Sequence, residues 1–205
     1  MSPARIGRMP VDRRHQLVAV AAAEFASSGY QEASLNRIIR DCGMSKSSFY
    51  YFVPSKEELF TFVVQELIDE VGTELRVPEP DEFAGPEFWS RLEAYFSGLV
   101  RLAERRESFL TLGRMFYSGA PDEAKGTVGG ALAAVRDWVE QVLRVGRRCG
   151  AVRDDLPDAL QYNLVTGVLQ IFDEWTVRHY DEFTPDQLRA LGDAQFASIR
   201  RLLAP

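Results

Sequence analysis

Cysteine and histidine are scarce, and no long apolar run exists. The 205-residue chain has two cysteines, Cys42 and Cys149, without C-x-x-C spacing. That is too few for the disulfide scaffolds of small secreted domains, so a reducing, intracellular setting is expected. The two histidines, His15 and His179, lie far apart with no Cys or carboxylate cluster at ligand spacing, and no metal site is expected. The apolar stretch 17–23 stops at Glu24, and nothing later approaches the roughly 18 uninterrupted apolar residues of a spanning helix. The first residues carry arginines but no apolar core of a signal peptide. A cytoplasmic protein without a membrane partner is the expectation. There is no G-x-S-x-G, phosphate-binding loop or dinucleotide fingerprint. The acids at 154 and 155 fit a helix-capping loop. No catalytic residue and no cofactor are expected.

What is present is 46% hydrophobic and 26% charged, a mixture suited to a globular chain with a core. The net charge of −6 is unevenly spread. Residues 1–56 hold eight Lys or Arg against four acids, a balance of +4, leaving 16 against 26, or −10, on the remainder. A basic head on an acidic body suggests that one end meets phosphate while the other repels it.

Apolar residues recur at spacings of three and four with no sustained period-two alternation, so the chain reads as all-α with about nine helices. The first covers Val11–Ser27, with Gly29 as a left-handed stop. Ser34 caps a short second helix that Gly43 ends, and Ser45 caps a third. Ser55 and Glu58 form a capping box opening a fourth, which runs to about Arg76. The proline-rich, acidic stretch 77–88 is a linker. Further helices are expected at Phe88–Arg105, Phe109–Ser118, Glu123–Arg148 and Asp158–His179. The last opens with Thr184 as cap, Pro185 at its first position and Gln187 completing a second box. The domains are set at 1–56 and 57–205.

Two short helices joined by a glycine-containing turn form a helix-turn-helix pattern. On the third helix, Phe49, Phe52 and Val53 share one face, while Ser47, Tyr50 and Tyr51 point elsewhere and Lys46 sits at the edge of the first turn. The first set is core. The second is a hydroxyl-rich surface sized for a major groove, with serines for base edges and tyrosine hydroxyls for phosphate. Lys56 adds a cation at the start of the fourth helix. Arg5 and Arg8 are expected in a tail without fixed structure in the absence of DNA, an arm whose targets are phosphate or the minor groove.

The stretch "FASSGYQEASLNRIIRDCGMSKSSFYYFVPSKEEL" resembles the DNA-binding domain of TetR-family transcriptional regulators. Phe25, Gly29, Tyr30, Ser34, Ile38, Gly43, Ser45, Phe49, Tyr50 and Lys56 carry the likeness, over about the first quarter of the chain. Departures are Ile39 and Cys42 where the family has Ala, and Phe52 and Val53 where it has a His or Tyr followed by Phe. The resemblance implies phosphate contacts from Tyr50 and Lys56, and base or phosphate contacts from Asn36, Arg37, Lys46, Ser47 and Ser48. Ser34, Ser45 and Tyr51 complete the set. It implies nothing for Phe52.

The resemblance further implies a homodimer on a palindromic duplex operator, repression, and release by a small-molecule effector. For the dimer interface, Leu160, Leu164, Val168 and Ile171 form a stripe on the eighth helix, and Leu188, Leu191, Gln195, Ile199 and Leu202 form one on the ninth. Burial within the chain's own domain is the other reading of both stripes. Large side chains of the body read mostly as core. Those set aside for an effector pocket are Trp89, Phe109, Phe116, Tyr117, Trp138 and Trp175. The polar groups Arg114, Tyr162, Asn163, Thr166, Gln170 and His179 would orient a ligand there. Two alternatives stand beside this. One is a helical binding protein or enzyme that keeps the helix-turn-helix as scaffold; the other is a TetR-like regulator governed by a protein partner.

Overall fold

In the computed structural model, residues 5–117, 119 and 122–205 are described. The helix break expected at "SGAPDE", 118–123, lies in part outside them. Nine α-helices and no strand occur among the described residues. They are α1 Val11–Glu32, α2 Leu35–Asp41, α3 Lys46–Phe52, α4 Lys56–Glu74, α5 Phe88–Arg105, α6 Glu107–Phe116, α7 Asp122–Arg148, α8 Asp158–His179 and α9 Pro185–Leu203. Short 3-10 turns lie at Arg5–Arg8, Pro80–Phe83 and Tyr180–Glu182. No helix among the described residues is long and apolar enough to cross a membrane.

The chain divides into two compact units. One runs to Glu74 and includes Ser108–Ala131; the other comprises Leu75–Glu107 and Leu132–Pro205.

In the first unit α1 packs against α4 and α2. Leu17, Ala21 and Phe25 of α1 are buried, as are Leu59, Phe60, Val63 and Val64 of α4. The end of α1 differs from the sequence expectation. Gly29 takes a positive φ of 71°, as a stop would, but the helix resumes through Glu32. This break turns Tyr30 inward, where its ring meets Phe60 edge-on at 5.3 Å while Phe60 meets Phe25 at 5.0 Å. A non-glycine residue would be strained at that angle. A second correction concerns the beginning of the chain. Arg5–Arg8 form a 3-10 turn rather than a free tail, because Ile6 is completely buried and Met9 nearly so.

In the second unit α5 lies along α9, and α8 also touches α9. Phe88, Leu92, Val142, Leu143, Val165, Phe196, Ile199 and Leu203 form its core. The linker is more ordered than its prolines suggest. Glu79 and Glu82 cap a 3-10 turn reciprocally, and Phe83 is driven into the core. The Trp138 indole donates to the Pro78 carbonyl at 2.7 Å, and the Trp89 indole to Ala151 at 2.9 Å. Gln161 is the buried polar residue among those described, and both ends of its amide are used. Its Oε1 accepts from Arg147 Nε at 2.7 Å and its Nε2 donates to the Arg153 carbonyl at 3.0 Å. Satisfied in this way, it ties the α7–α8 connection together without a desolvation penalty.

Gly146 marks a close approach. A Cβ there would lie 2.4 Å from Val152 Cγ2 and 2.8 Å from Phe88 Cζ. Overpacking of this kind costs about 1–3 kcal/mol. Gly146→Ala should therefore lower stability by that amount in urea unfolding at an unchanged slope, whereas Gly167→Ala, in open space, should leave it unchanged or raised.

Candidate nucleic-acid interface

The basic head is built on two seven-residue helices and the turn between them. Helices this short are unstable alone, so capping and packing must hold them. Ser34 accepts the Arg37 amide at 3.4 Å to start α2. Gly43, at φ 61°, ends it, while the Met44 amide reaches back to the Ile39 carbonyl at 3.1 Å. Ser45 then accepts the Ser48 amide at 3.2 Å to start α3, and its hydroxyl also meets that of Ser47 at 3.1 Å. Beneath α3, Phe49 and Val53 are wholly buried. Cys42 is buried beside the turn, and burial pushes its thiol above the usual range, as for an inert core residue.

With that face buried, Lys46, Ser47, Tyr50 and Tyr51 are left exposed. Tyr51 is 64% exposed and Tyr50 48%. Phe52 is half-buried, its ring 4.9 Å from that of Tyr51 and edge-on to it. The structure therefore sets Lys46, Ser47, Tyr50 and Tyr51 on one solvent-facing helix, with Ser48 half-covered and Ser34 and Ser45 engaged as caps. Asn36 is exposed on α2.

Two expected contact residues are held by the protein itself. Arg37 Nε donates to both Glu24 carboxylate oxygens at 2.8 and 3.0 Å, and its Nη2 donates to the Glu32 carbonyl at 3.0 Å. The same carboxylate accepts the Ser34 amide at 2.7 Å. Glu24 thus joins α1 to the start of α2, and its bonds to Arg37 hold its carboxyl below the ordinary value of 4.5. Lys56 Nζ donates to the Gln31 carbonyl at 2.9 Å and lies 4.9 Å from the Tyr30 ring centre. Partial burial lowers its pKa. The resemblance carried nothing about Glu24, although its reach across 13 positions to Arg37 organises the head; only the long-range fold reveals that pairing.

The residues proposed for an effector pocket lie in both units. Phe109, Arg114 and Phe116 are on α6, with Tyr117 just after it, in the first unit. In the second, Trp89, Trp138 and Tyr162 pack against the core, and the Thr166 hydroxyl is turned onto the Tyr162 carbonyl at 2.9 Å. Asn163, Gln170 and Trp175 are exposed along α8. His179 stacks on Trp175 at 4.4 Å and bonds its carbonyl through Nδ1 at 2.8 Å.

Of the dimer stripes, that on α8 is open and that on α9 is largely covered. Leu160, Leu164 and Ile171 are exposed, Ile171 at 65%, with Val168 half-buried among them. Leu188 and Ile199 are instead buried, because α5 occupies that side of α9. Leu191 and Leu202 are half-buried, and Gln195 donates to the Thr176 hydroxyl at 2.9 Å. Among the described residues no group of three or more His, Cys, Asp or Glu is placed to hold a metal.

Residues 17–62 match the model of the family described as "Bacterial regulatory proteins, tetR family". The head of the chain is similar to that of the uncharacterized HTH-type transcriptional regulator YdgC of Bacillus subtilis (strain 168). The identity is 32% over 56 residues, 27% of this chain and 29% of that protein. The match thus spans under a third of that relative. Over nearly the whole length the fold resembles solved structures at low identity. One is a TetR family transcriptional regulator from Chloroflexus aurantiacus J-10-FL, with TM-score 0.66, 16% identity and coverage of 98% of this chain and 97% of that one. Another is the MbdR regulator from Azoarcus sp. CIB, with TM-score 0.68, 18% identity and coverage of 90% and 97%.

Because the folded-state pKa of Glu24 is depressed, its contribution to stability is present at neutral pH and disappears as pH falls below about 4.5 through the folded value. Glu24→Gln should therefore be less stable than the parent at pH 7. The difference should close on acidification, read from thermal unfolding across pH 7 to 3.

Proposed function

We infer that this chain is a homodimeric, ligand-responsive transcriptional regulator. It acts as a repressor on a palindromic DNA operator and is released by a small-molecule effector. The observation that carries the reading is the exposed face of α3, where Lys46, Ser47, Tyr50 and Tyr51 stand over a buried Phe49. A scaffold helix has no need of one cation and three hydroxyls on its open side. In this reading Lys46 and Ser47 meet base edges, and Ser48, Asn36 and the two tyrosines meet phosphate or neighbouring bases. Ser34 and Ser45 present the ends of their helices. Arg37 and Lys56 keep the head in shape through Glu24 and Gln31, and reach phosphate at its margin. Residues 1–56 form the reading part and 57–205 the sensing and dimerising part.

For the dimer, the exposed stripe of Leu160, Leu164 and Ile171 on α8 supports a second copy of the chain as partner. The half-buried Val168, Leu191, Gln195 and Leu202 would flank it. The effector is a small molecule held by the body.

Two measurements test this. Selection of random duplexes by the purified protein should enrich a palindrome whose half-sites lie about 34–36 Å apart or at a multiple of that spacing. No enrichment at low salt would leave the helix-turn-helix as scaffold. In sedimentation, Ile171→Glu should convert dimer to monomer without lowering helix content and weaken operator binding; a variant that sediments like the parent would remove α8 from the interface.

A further inference from the structure

The 3-10 turn at Arg5–Arg8 precedes the segment that matches the family model, which begins at residue 17. With three residues per turn, side chains at i and i+3 stand one over the other. In Arg5-Ile6-Gly7-Arg8-Met9 this aligns Arg5 with Arg8 and Ile6 with Met9. The burial follows that alignment: Ile6 and Met9 are inside and both arginines outside. The turn packs against α3, the helix that carries the exposed reading face. Its closure is secured by the Met9 amide on the Ile6 carbonyl at 3.0 Å, and Arg14 of α1 donates to the Gly7 carbonyl at 3.4 Å. The two arginines are therefore carried on a docked element next to the reading helix.

Their charge is also uncompensated. Arg37 is neutralised by Glu24 and Arg40 by Asp41, while Arg5 and Arg8 have no ion-pair partner among the described residues. Much of the head's free positive charge thus lies in this turn and in Lys46. A turn that served only to plug the core would need Ile6 and Met9 and could carry any polar residue at 5 and 8.

We propose that Arg5 and Arg8, fixed beside α3 by the buried Ile6, bind the phosphate backbone of the duplex next to the groove that α3 enters. The proposal rests on the DNA-reading head and extends it to residues outside the family-matched segment. Phosphate is favoured over base edges because a docked turn holds its cations at the rim of the reading helix and contributes no extended arm to follow a groove.

The test is titration of the full chain and its Arg5→Gln/Arg8→Gln variant against the selected palindrome and an unrelated duplex at several salt concentrations. Four lost phosphate contacts, two from each subunit of the dimer, lower the slope of log affinity against log salt by about 3.6, and equally so on both duplexes. Thermal unfolding should be unchanged, since both side chains are exposed, and Arg5→Lys/Arg8→Lys should keep the parent slope. If the parent binds and the Gln pair shows the same slope and affinity, the proposal is overturned while the reading head stands. A loss confined to the palindrome would overturn the phosphate assignment. A parent that binds no duplex would overturn the reading head itself.

Discussion

A helix of seven residues does not persist in water, so α3 depends on the burial of Phe49 and Val53 and on the Ser45 cap. That dependence constrains the rest of the head. Phe49 of α3 and Val53 at its C-cap must face inward completely, which leaves Lys46, Ser47, Tyr50 and Tyr51 facing out. The buried side must in turn be met by a core. The aromatic group of Phe25, Tyr30 and Phe60, assembled through the left-handed break at Gly29, ties α1 to α4 in the same unit. The turn at Arg5–Arg8, with Ile6 wholly buried, packs against α3.

Electrostatics sharpen the same division. Arg37 is drawn into Glu24 and Lys56 into Gln31 and Tyr30, so these cations hold helices together. Cations without an ion pair among the described residues remain in the turn before α1, at Arg13 of α1 and at Lys46 of α3. In the second unit the contrast is between two apolar stripes. The α9 stripe is largely covered by α5, whereas the α8 stripe keeps Leu164 and Ile171 open.

Much of this was legible in the sequence, for identifiable reasons. The boundaries of α5 and α8 agree with expectation, and the Thr184–Gln187 box at the start of α9 forms as written, because caps and periodicity are local signals. The inward turn of Phe49 and Val53 and the outward turn of Ser47, Tyr50 and Tyr51 followed from 100° per residue, whereas Phe52, expected in the core, is half-buried. The continuation of α1 past Gly29 did not, since a positive φ ordinarily signals an end and only the pull of Tyr30 toward Phe60 restarts the helix. The docked turn at Arg5–Arg8 was equally hidden, because Ile6 finds its partners far along the chain. The α9 stripe was ambiguous for the same reason: periodicity shows that a face is apolar, not which neighbour covers it. The Glu24–Arg37 pairing, a contact across 13 residues, had no local signal.

The central claim is that the exposed side of α3 is the surface that meets DNA. The most direct measurement is amide NMR of the labelled protein titrated with its selected duplex. The account predicts that the largest shifts fall on residues 45–52, with smaller ones at 5–8, and that α5, α8 and α9 remain little perturbed. Shifts concentrated in the second unit, with 45–52 unmoved at saturation, would contradict it.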